Sequence, residues 1–598
     1  MTEDDSRREE TLSQLCLEAH QEFKNGSYRK ALAIYTDIKN KLDTSELTDN
    51  WIIIKQMGLC EYRLNHKKKA YQIWMSLEQN PIELFVFVTE KIQNESTLLL
   101  PELMELFPNF RFLFYIAADR LLKVERLGLL KDKIATCPHP FDQWFLGGIQ
   151  SLFFTTREDS TRYISTWRDN LSEMIKYTSD GFNTQRDLME LCFATLYHFH
   201  ASYLDDFTLA DSQNWSSVVR RIYPSMNYTV SHDVKDSVNG IGDKIKIGFV
   251  NCFANRLHSV TRDRAGIIIN MDPDVFDKHL IYLQEDTQQF PLVNQLMEAI
   301  PQSNHHKIRG EQFLFQPESI LQKLGECQFD VIVFCELGMN PISYLLAHAR
   351  LAPIQITTWG HSMSSGISTI DYFISSRLFE PESNQVYYSE KLILMDSLST
   401  YYPTITPPDN NEADCVDIHK SLQIPDDALI IGCIQSYFKL QSDWFDTVRE
   451  ILSRGDKKFY LLLQIPKSTD TQGGSFFEKE YNKRLQLLFG ENINQVRFLE
   501  TMDYRTYLQV LSQCDLMIDP FPFGGCNTTL ESFALGKVVI TKSNRLLPGR
   551  FSLGFYQKIG INENTPDSPV CPDNNSYIER CHELLVNRDK RQAIEKII

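Results

Sequence analysis

Most features that mark secreted, membrane-spanning or nucleic-acid-binding chains are missing from this sequence of 598 residues. No stretch approaches 18 uninterrupted apolar residues, so no membrane span is expected. The opening MTEDDSRREE is acidic and lacks the apolar core of a signal peptide, which leads us to expect a cytoplasmic protein. Thirteen cysteines are scattered without a C-x-x-C pair. That usage fits reduced thiols better than a disulfide framework or a zinc site. Basic residues are outnumbered, 61 Lys and Arg against 78 Asp and Glu, for a net charge of -17. A nucleic-acid partner, which needs a basic face, is disfavoured. There is neither a GK[ST] phosphate loop nor a clean GxGxxG. What remains is a chain with 42% hydrophobic and 12% aromatic residues. That composition belongs to a folded protein of about three or four domains.

The stretch that organises the rest runs from Asp515 to Gly560. DLMID has the pattern of a buried parallel strand. PFPFGGCN is a turn rich in Pro and Gly. TTLESFALG opens on hydroxyls and stops at Gly536, as a helix does, and KVVIT is a further strand. A strand, a Gly-rich loop and a helix N-terminus make a site for an anion, because exposed N–H groups and the helix dipole favour phosphate. Thr528 and Thr529 add hydroxyl donors, and Glu531 stands about one turn inside, where a carboxylate can accept from sugar hydroxyls. The alternative is a Thr pair that merely caps the helix, with Glu531 satisfying its start.

The N-terminal part reads as helical. GSYRKALAIY (Gly26 to Tyr35) recurs loosely as NHKKKAYQIW (Asn65 to Trp74), with Ala31 and Ala70 as the small residues that let two helices approach. The offset of about 39 residues exceeds the 34 of a tetratricopeptide repeat, so degenerate hairpins of that kind or an ordinary bundle both fit. Residues 81–230 continue with three-and-four apolar spacing, and stacked helices of this sort suit acceptor recognition or self-association. His198 and His200 stand two apart on a helix, which is poor metal geometry. Residues 231–244 are polar and Gly-containing and read as a linker.

Beyond it, IKIGFVNC, HLIYL, FDVIVFC and IQITTW alternate with helical stretches and imply a doubly wound parallel sheet. Residues 396–415, turn-rich and acidic, connect it to a second set of strands, ALIIGC, FYLLLQIP and VRFLE. Ligands of such sheets bind beyond the carboxyl ends of the strands. His258 occupies one such loop and could act as general base, or simply pack beside Arg262 and Arg264. His361 lies in the Ser/Gly-rich loop after IQITTW. Lys439 follows ALIIGC; an ammonium held there would neutralise a departing diphosphate, although a solvated surface lysine is the common fate.

FPFGGCNTTLESFALGKVVIT, followed by GRFSLGFYQKIG, resembles the donor-binding segment of the O-GlcNAc transferase and SPINDLY-like glycosyltransferases. It is also similar to the cytoplasmic bacterial N-glucosyltransferases that modify adhesins. The WGHSMSSGISTIDYFISS stretch most resembles the latter branch. Gly432, Gln435 and Lys439 match the family's strand-Gly-loop-Lys motif, with Gln435 where Asn is common. Phe253 and His258-Ser259-Val260 match a second motif with two extra residues between. The resemblance implies a GT-B fold, two Rossmann-like lobes at residues 245–410 and 411–598 preceded by tetratricopeptide-like helices at residues 1–80. It implies His258 and Lys439 as catalytic residues. His361, Gln435, Tyr507, Asn527, Thr528, Thr529, Glu531 and Arg550 would hold the donor, with Tyr507 stacking on the base. The implied reaction is an inverting transfer of GlcNAc or glucose from a UDP-sugar to protein Ser, Thr or Asn side chains, without metal or cofactor; no D-x-D stands beside the site, where Asp519 is followed by Pro-Phe-Pro. The rivals are transfer to a small glycan and an inactive scaffold that binds partner proteins through its helices.

Overall fold

The computed structural model describes residues 3–42, 51–64, 66–75, 154–176, 198–232, 244–283, 287–408, 416–455, 458–464, 483–500 and 502–598. The helices expected over residues 81–153 and the core of the expected linker, residues 233–243, lie outside the described residues.

Helices Glu3–Lys24, Tyr28–Lys41, Trp51–Arg63 and Lys67–Met75 form two helical hairpins. The two recurring segments fall where their pattern predicts. Ala31 and Ala70 are fully buried, beside Tyr35 and Trp74. The first hairpin turns at Gly26, whose φ of 78° lies in the left-handed region that glycine tolerates. In the second, a Cβ at Gly58 would sit 1.9 Å from the Trp74 indole nitrogen, so only glycine admits that ring. These hairpins belong to a compact unit of their own; a second unit carries both sheets and the helices Arg157–Lys176 and Leu209–Ile222.

The first sheet comprises Ile245–Val250 (β1), Phe276–Leu283 (β2), His305–Ile308 (β3), Val331–Phe334 (β4), Ile354–Thr358 (β5), Tyr372–Ser376 (β6) and Lys391–Met395 (β7). It is parallel throughout, in the order β3-β2-β1-β4-β5-β6-β7. The second comprises Leu429–Cys433 (β8), Phe459–Gln464 (β9), Val496–Leu499 (β10), Leu516–Ile518 (β11), Val539–Lys542 (β12) and Val570–Cys571 (β13), in the order β10-β9-β8-β11-β12-β13. It too is parallel. Each order reverses once, between β1 and β4 and between β8 and β11. Crevices for ligands open at such reversals. His258 follows β1; Lys439 follows β8; Thr528 follows β11.

The lobes share a buried aromatic cluster. Trp359, Phe373, Phe379 and Tyr388 of the first pack against Leu547, Phe551 and Phe555 of the second. Phe379 meets Phe551 edge-on at 5.3 Å, a geometry worth about 0.5–1.5 kcal/mol beyond the area it buries. A Cβ at Gly554 would stand 2.2 Å from the Phe379 ring, so the helix Phe551–Lys558 approaches the facing lobe through a glycine.

Candidate active site

Between the lobes lies a cavity of about 410 Å³, open to solvent and lined by His258, Ser259 and Arg262 from one side and Gln435, Tyr504, Tyr507, Asn527, Thr528 and Glu531 from the other. The loop from Asp519 leads into it at Asn527. The helix Asn527–Ala534 starts there, at an N-cap, Cys526, that makes no side-chain cap. The capping alternative therefore does not hold, and the start of the helix faces the cavity. Gly525 has no room for a side chain: a Cβ would meet Asp519 Oδ1, Gln435 Nε2 and Thr528 Oγ1, each at 2.8 Å. The Gly525 N–H donates to Asp519 Oδ1 at 3.1 Å, and Ser552 donates to the other carboxylate oxygen. Burial pushes the Asp519 carboxyl up to about 6 against these bonds and the nearby ammonium of Lys439.

Lys439, Gln435 and Thr528 are joined. Lys439 Nζ donates to Gln435 Oε1 at 2.9 Å and to the Gly524 carbonyl at 3.1 Å, and Gln435 Nε2 donates to Thr528 Oγ1. The Gln435 amide is thus fixed with its oxygen on the cation and its nitrogen on the threonine. The ammonium lies over the Phe523 ring, 5.1 Å from its centroid. Burial lowers its pKa, opposed by Asp519, Cys526 and Cys433. This is a desolvated cation beside a helix start, where a developing negative charge is stabilised most.

His258 is the N-cap of the helix Ser259–Asn270, its ring stacked on Phe253 at 4.0 Å. Nδ1 accepts the Val260 N–H at 3.3 Å. Burial, with Arg256 and Arg262, pushes its pKa down to about 4, so the ring is neutral. A neutral ring whose Nδ1 accepts carries its proton on Nε2. In this tautomer the ring's free donor is Nε2–H, which can orient a hydroxyl or phosphate oxygen.

Glu531 is committed across the cleft. Arg262 Nη1 lies 2.5 Å from Oε1 and the Tyr507 hydroxyl donates to Oε2 at 2.8 Å. The Arg262 guanidinium also stacks on Tyr504, 4.0 Å from its centroid. Tyr507 lines the cavity with its hydroxyl tied to Glu531, and Asn527 donates to Asp263 of the facing lobe at 3.3 Å.

Three expected donor ligands are placed elsewhere. The Thr529 hydroxyl is buried against Ser552 at 2.9 Å, because successive positions of the helix start point in different directions. Arg550 donates to the Phe379 and Asn544 carbonyls and so ties the lobes together outside the cavity. His361 is buried against Phe199, 4.6 Å away, with Nε2 3.0 Å from Ser202 Oγ. Its surroundings are aromatic, and burial pushes its pKa to about 3. Of the two N-terminal histidines, His198 is stacked on Trp215 in the core. His200 packs on Phe438, the neighbour of Lys439.

Sequence reasoning missed Arg262 and Tyr504. Each carried a signal: Arg262 stands four residues after His258, and Tyr504 three before Tyr507, spacings that share a helix face. Among the described residues no group of three or more His, Cys, Asp or Glu side chains is placed to hold a metal ion, and no helix is long and apolar enough to cross a membrane.

No protein-family model matches the chain. In sequence it is similar to a UDP-glucose:protein N-beta-glucosyltransferase of Actinobacillus pleuropneumoniae serotype 5b (strain L20), 22% identical over 442 residues, 70% of this chain and 66% of that protein. It is also similar to a probable UDP-N-acetylglucosamine–peptide N-acetylglucosaminyltransferase SPINDLY of Oryza sativa subsp. japonica, 21% identical over 239 residues, 40% of this chain and 24% of that one. The chain thus spans just under two thirds of the first relative and about a quarter of the second. In structure it is similar to a mutant of the Thermobaculum terrenum O-GlcNAc transferase, with a TM-score of 0.60 at 16% identity, over 100% of this chain and 93% of that one. The fold is GT-B, with two Rossmann-like lobes and tetratricopeptide-like helices before them. The resemblance to the O-GlcNAc transferase and SPINDLY-like protein glycosyltransferases is borne out.

Proposed function

We propose that this chain is an inverting glycosyltransferase that moves a hexose, glucose or GlcNAc, from a UDP-sugar to protein Ser, Thr or Asn side chains without a metal ion. The observation that carries this reading is the Lys439–Gln435–Thr528 network at the start of the helix Asn527–Ala534. A diphosphate seated on that helix start meets N–H dipoles and the Thr528 hydroxyl in its ground state. As the bond from the anomeric carbon to the phosphate oxygen breaks, charge grows on that oxygen, and Lys439 neutralises it. The acceptor oxygen or nitrogen forms the new bond from the opposite face and releases its proton to water. His258, neutral and with Nε2–H available, donates to the phosphate or to a sugar hydroxyl. Tyr507 offers its ring to the uracil while Glu531 and Arg262 hold each other across the cleft.

Both sequence relatives bear names of protein or peptide transferases, the second as a probable one, which supports a protein acceptor over a free glycan. The test is direct. The chain is incubated with a panel of acceptor peptides containing Ser, Thr and Asn, and with UDP-glucose or UDP-GlcNAc in turn. Mass spectrometry is expected to find a hexose or N-acetylhexosamine added to one residue class, undiminished by EDTA. No added mass with any pairing, or transfer only to free oligosaccharides, contradicts the reading.

A further inference from the structure

Among the described residues before the first lobe, an aromatic turn packs against rings of both lobes. Residues 198–201 are helical, and the turn behind them carries Tyr203. Its ring is buried among side chains from both lobes. It stacks on Phe523 at 4.2 Å between centroids with 29° between planes, and meets Phe438 edge-on at 4.7 Å. On its other side stand Phe199, edge-on at 5.3 Å, and His361 at 6.4 Å. Phe199, Tyr203 and Phe523 form one buried cluster, with Phe438 and Met339 packed against it.

The two lobe-2 rings in this cluster are neighbours of Lys439 on separate loops. Phe438 precedes Lys439 in the short turn Tyr437–Lys439 after β8. Phe523 lies beneath the ammonium, and the next residue, Gly524, supplies the carbonyl that accepts from Nζ. One side chain thus touches both loops that fix the cation. We propose that Tyr203 is a positioning residue for Lys439, gripping these two loops so that the ammonium is held where the leaving diphosphate develops its charge. This rests on the function proposed above.

The physical case has two parts. A lysine side chain has much rotamer entropy to lose, and two acceptors on separate loops hold it only while those loops keep their spacing. Stacked and edge-on aromatic contacts each favour one spacing of the loops that carry them. The buried rings also keep water from the ammonium, and a cation in a dry site acts more strongly on a transition-state charge. A displacement of about 1 Å at such a group costs on the order of 100-fold in rate.

Tyr203→Leu keeps an apolar side chain but removes the ring, and Tyr203→Phe keeps the ring. Steady-state transfer kinetics and UDP calorimetry are measured on the full chain. Tyr203→Leu is expected to lower kcat by roughly 10–100-fold while the donor KM and the UDP Kd stay within about threefold. Tyr203→Phe is expected to restore kcat to within about threefold of the unaltered chain. Phe523→Leu removes the contact from the other side together with the ring beneath the ammonium, and is expected to lower kcat at least as much. It carries the test alone if Tyr203→Leu does not fold. The double variant should lose less than the product of the two single losses, since the two rings share one contact. A folded Tyr203→Leu with unchanged kcat, an equal loss in Tyr203→Phe, or losses that multiply in the double variant would overturn the inference while leaving the proposed function intact. Absence of transfer by the unaltered chain overturns both.

Discussion

Lys439→Ala is expected to lower sugar transfer by roughly 10²–10³-fold, the usual effect of removing one preorganised group from a developing oxyanion. The ammonium has no substitute nearby on its own loop. It is the cation joined to Gln435 and Gly524, and through Gln435 to Thr528. Its contribution is larger in the transition state than in the ground state, so kcat falls more than UDP affinity. Lys439→Arg is not a safe replacement, because the site fits a compact ammonium over Phe523 and a planar guanidinium has a different donor geometry. The fold should survive, as the side chain caps no helix and anchors no core cluster. The charge also sets a pH dependence. Burial lowers the pKa of Lys439, while Asp519, Cys526 and Cys433 facing it oppose the shift. The protonated form is the active one, so transfer should fall as pH rises through a value below the usual lysine range. Unchanged turnover in Lys439→Ala removes the residue from the mechanism.

Glu531→Ala is expected to destabilise the two-lobed unit by about 3–5 kcal/mol, because it leaves a largely buried guanidinium without its partner. The side chains of Arg262 and Glu531 are 15% and 4% exposed, far from the solvated pairs that contribute little. Burial raises the Glu531 pKa, while Arg262, Tyr507 and Tyr504 oppose that shift. Arg262→Ala leaves the carboxylate unpaired and should cost a similar amount. The double variant should cost less than the sum of the two, and that difference measures the coupling. Urea titration of the four proteins checks the cycle. Additive effects below about 0.5 kcal/mol each would mean that the pair is solvated and the cleft is not bridged there.

The lobes were legible because their central strands are nearly continuous apolar runs. IKIGFV, FYLLLQ and DLMID each became the buried strand their pattern implies. The peripheral strands were harder to read. β3 is HHKI, whose two histidines hide the pattern, and β13 is two residues long in a Pro-rich stretch. At the site, Lys439, Gln435 and Thr528 could be read because the reversal of strand order places the loops after β8 and β11 side by side. Hydroxyl direction could not: Thr528 and Thr529 look alike in sequence, and only the helix start decides which of them turns inward. Nor could long-range partners. Arg550 and His361 match family positions, yet their bonds run to Phe379 and Ser202, residues 171 and 159 positions away in the chain. The aromatic turn at Tyr203 is a third case, since nothing local marks a tyrosine that packs against a loop 320 residues later.

The central claim is that the cleft seats a pyrophosphate on the start of the helix Asn527–Ala534 with Lys439 beside it. Determining the crystal structure of the chain with UDP tests it most directly. The predicted result is density for the nucleotide in the cleft, phosphate oxygens within hydrogen-bond distance of Thr528 Oγ1 and Lys439 Nζ, and the uracil against Tyr507. A cleft without nucleotide at saturating UDP, or a nucleotide bound away from Lys439, would contradict it.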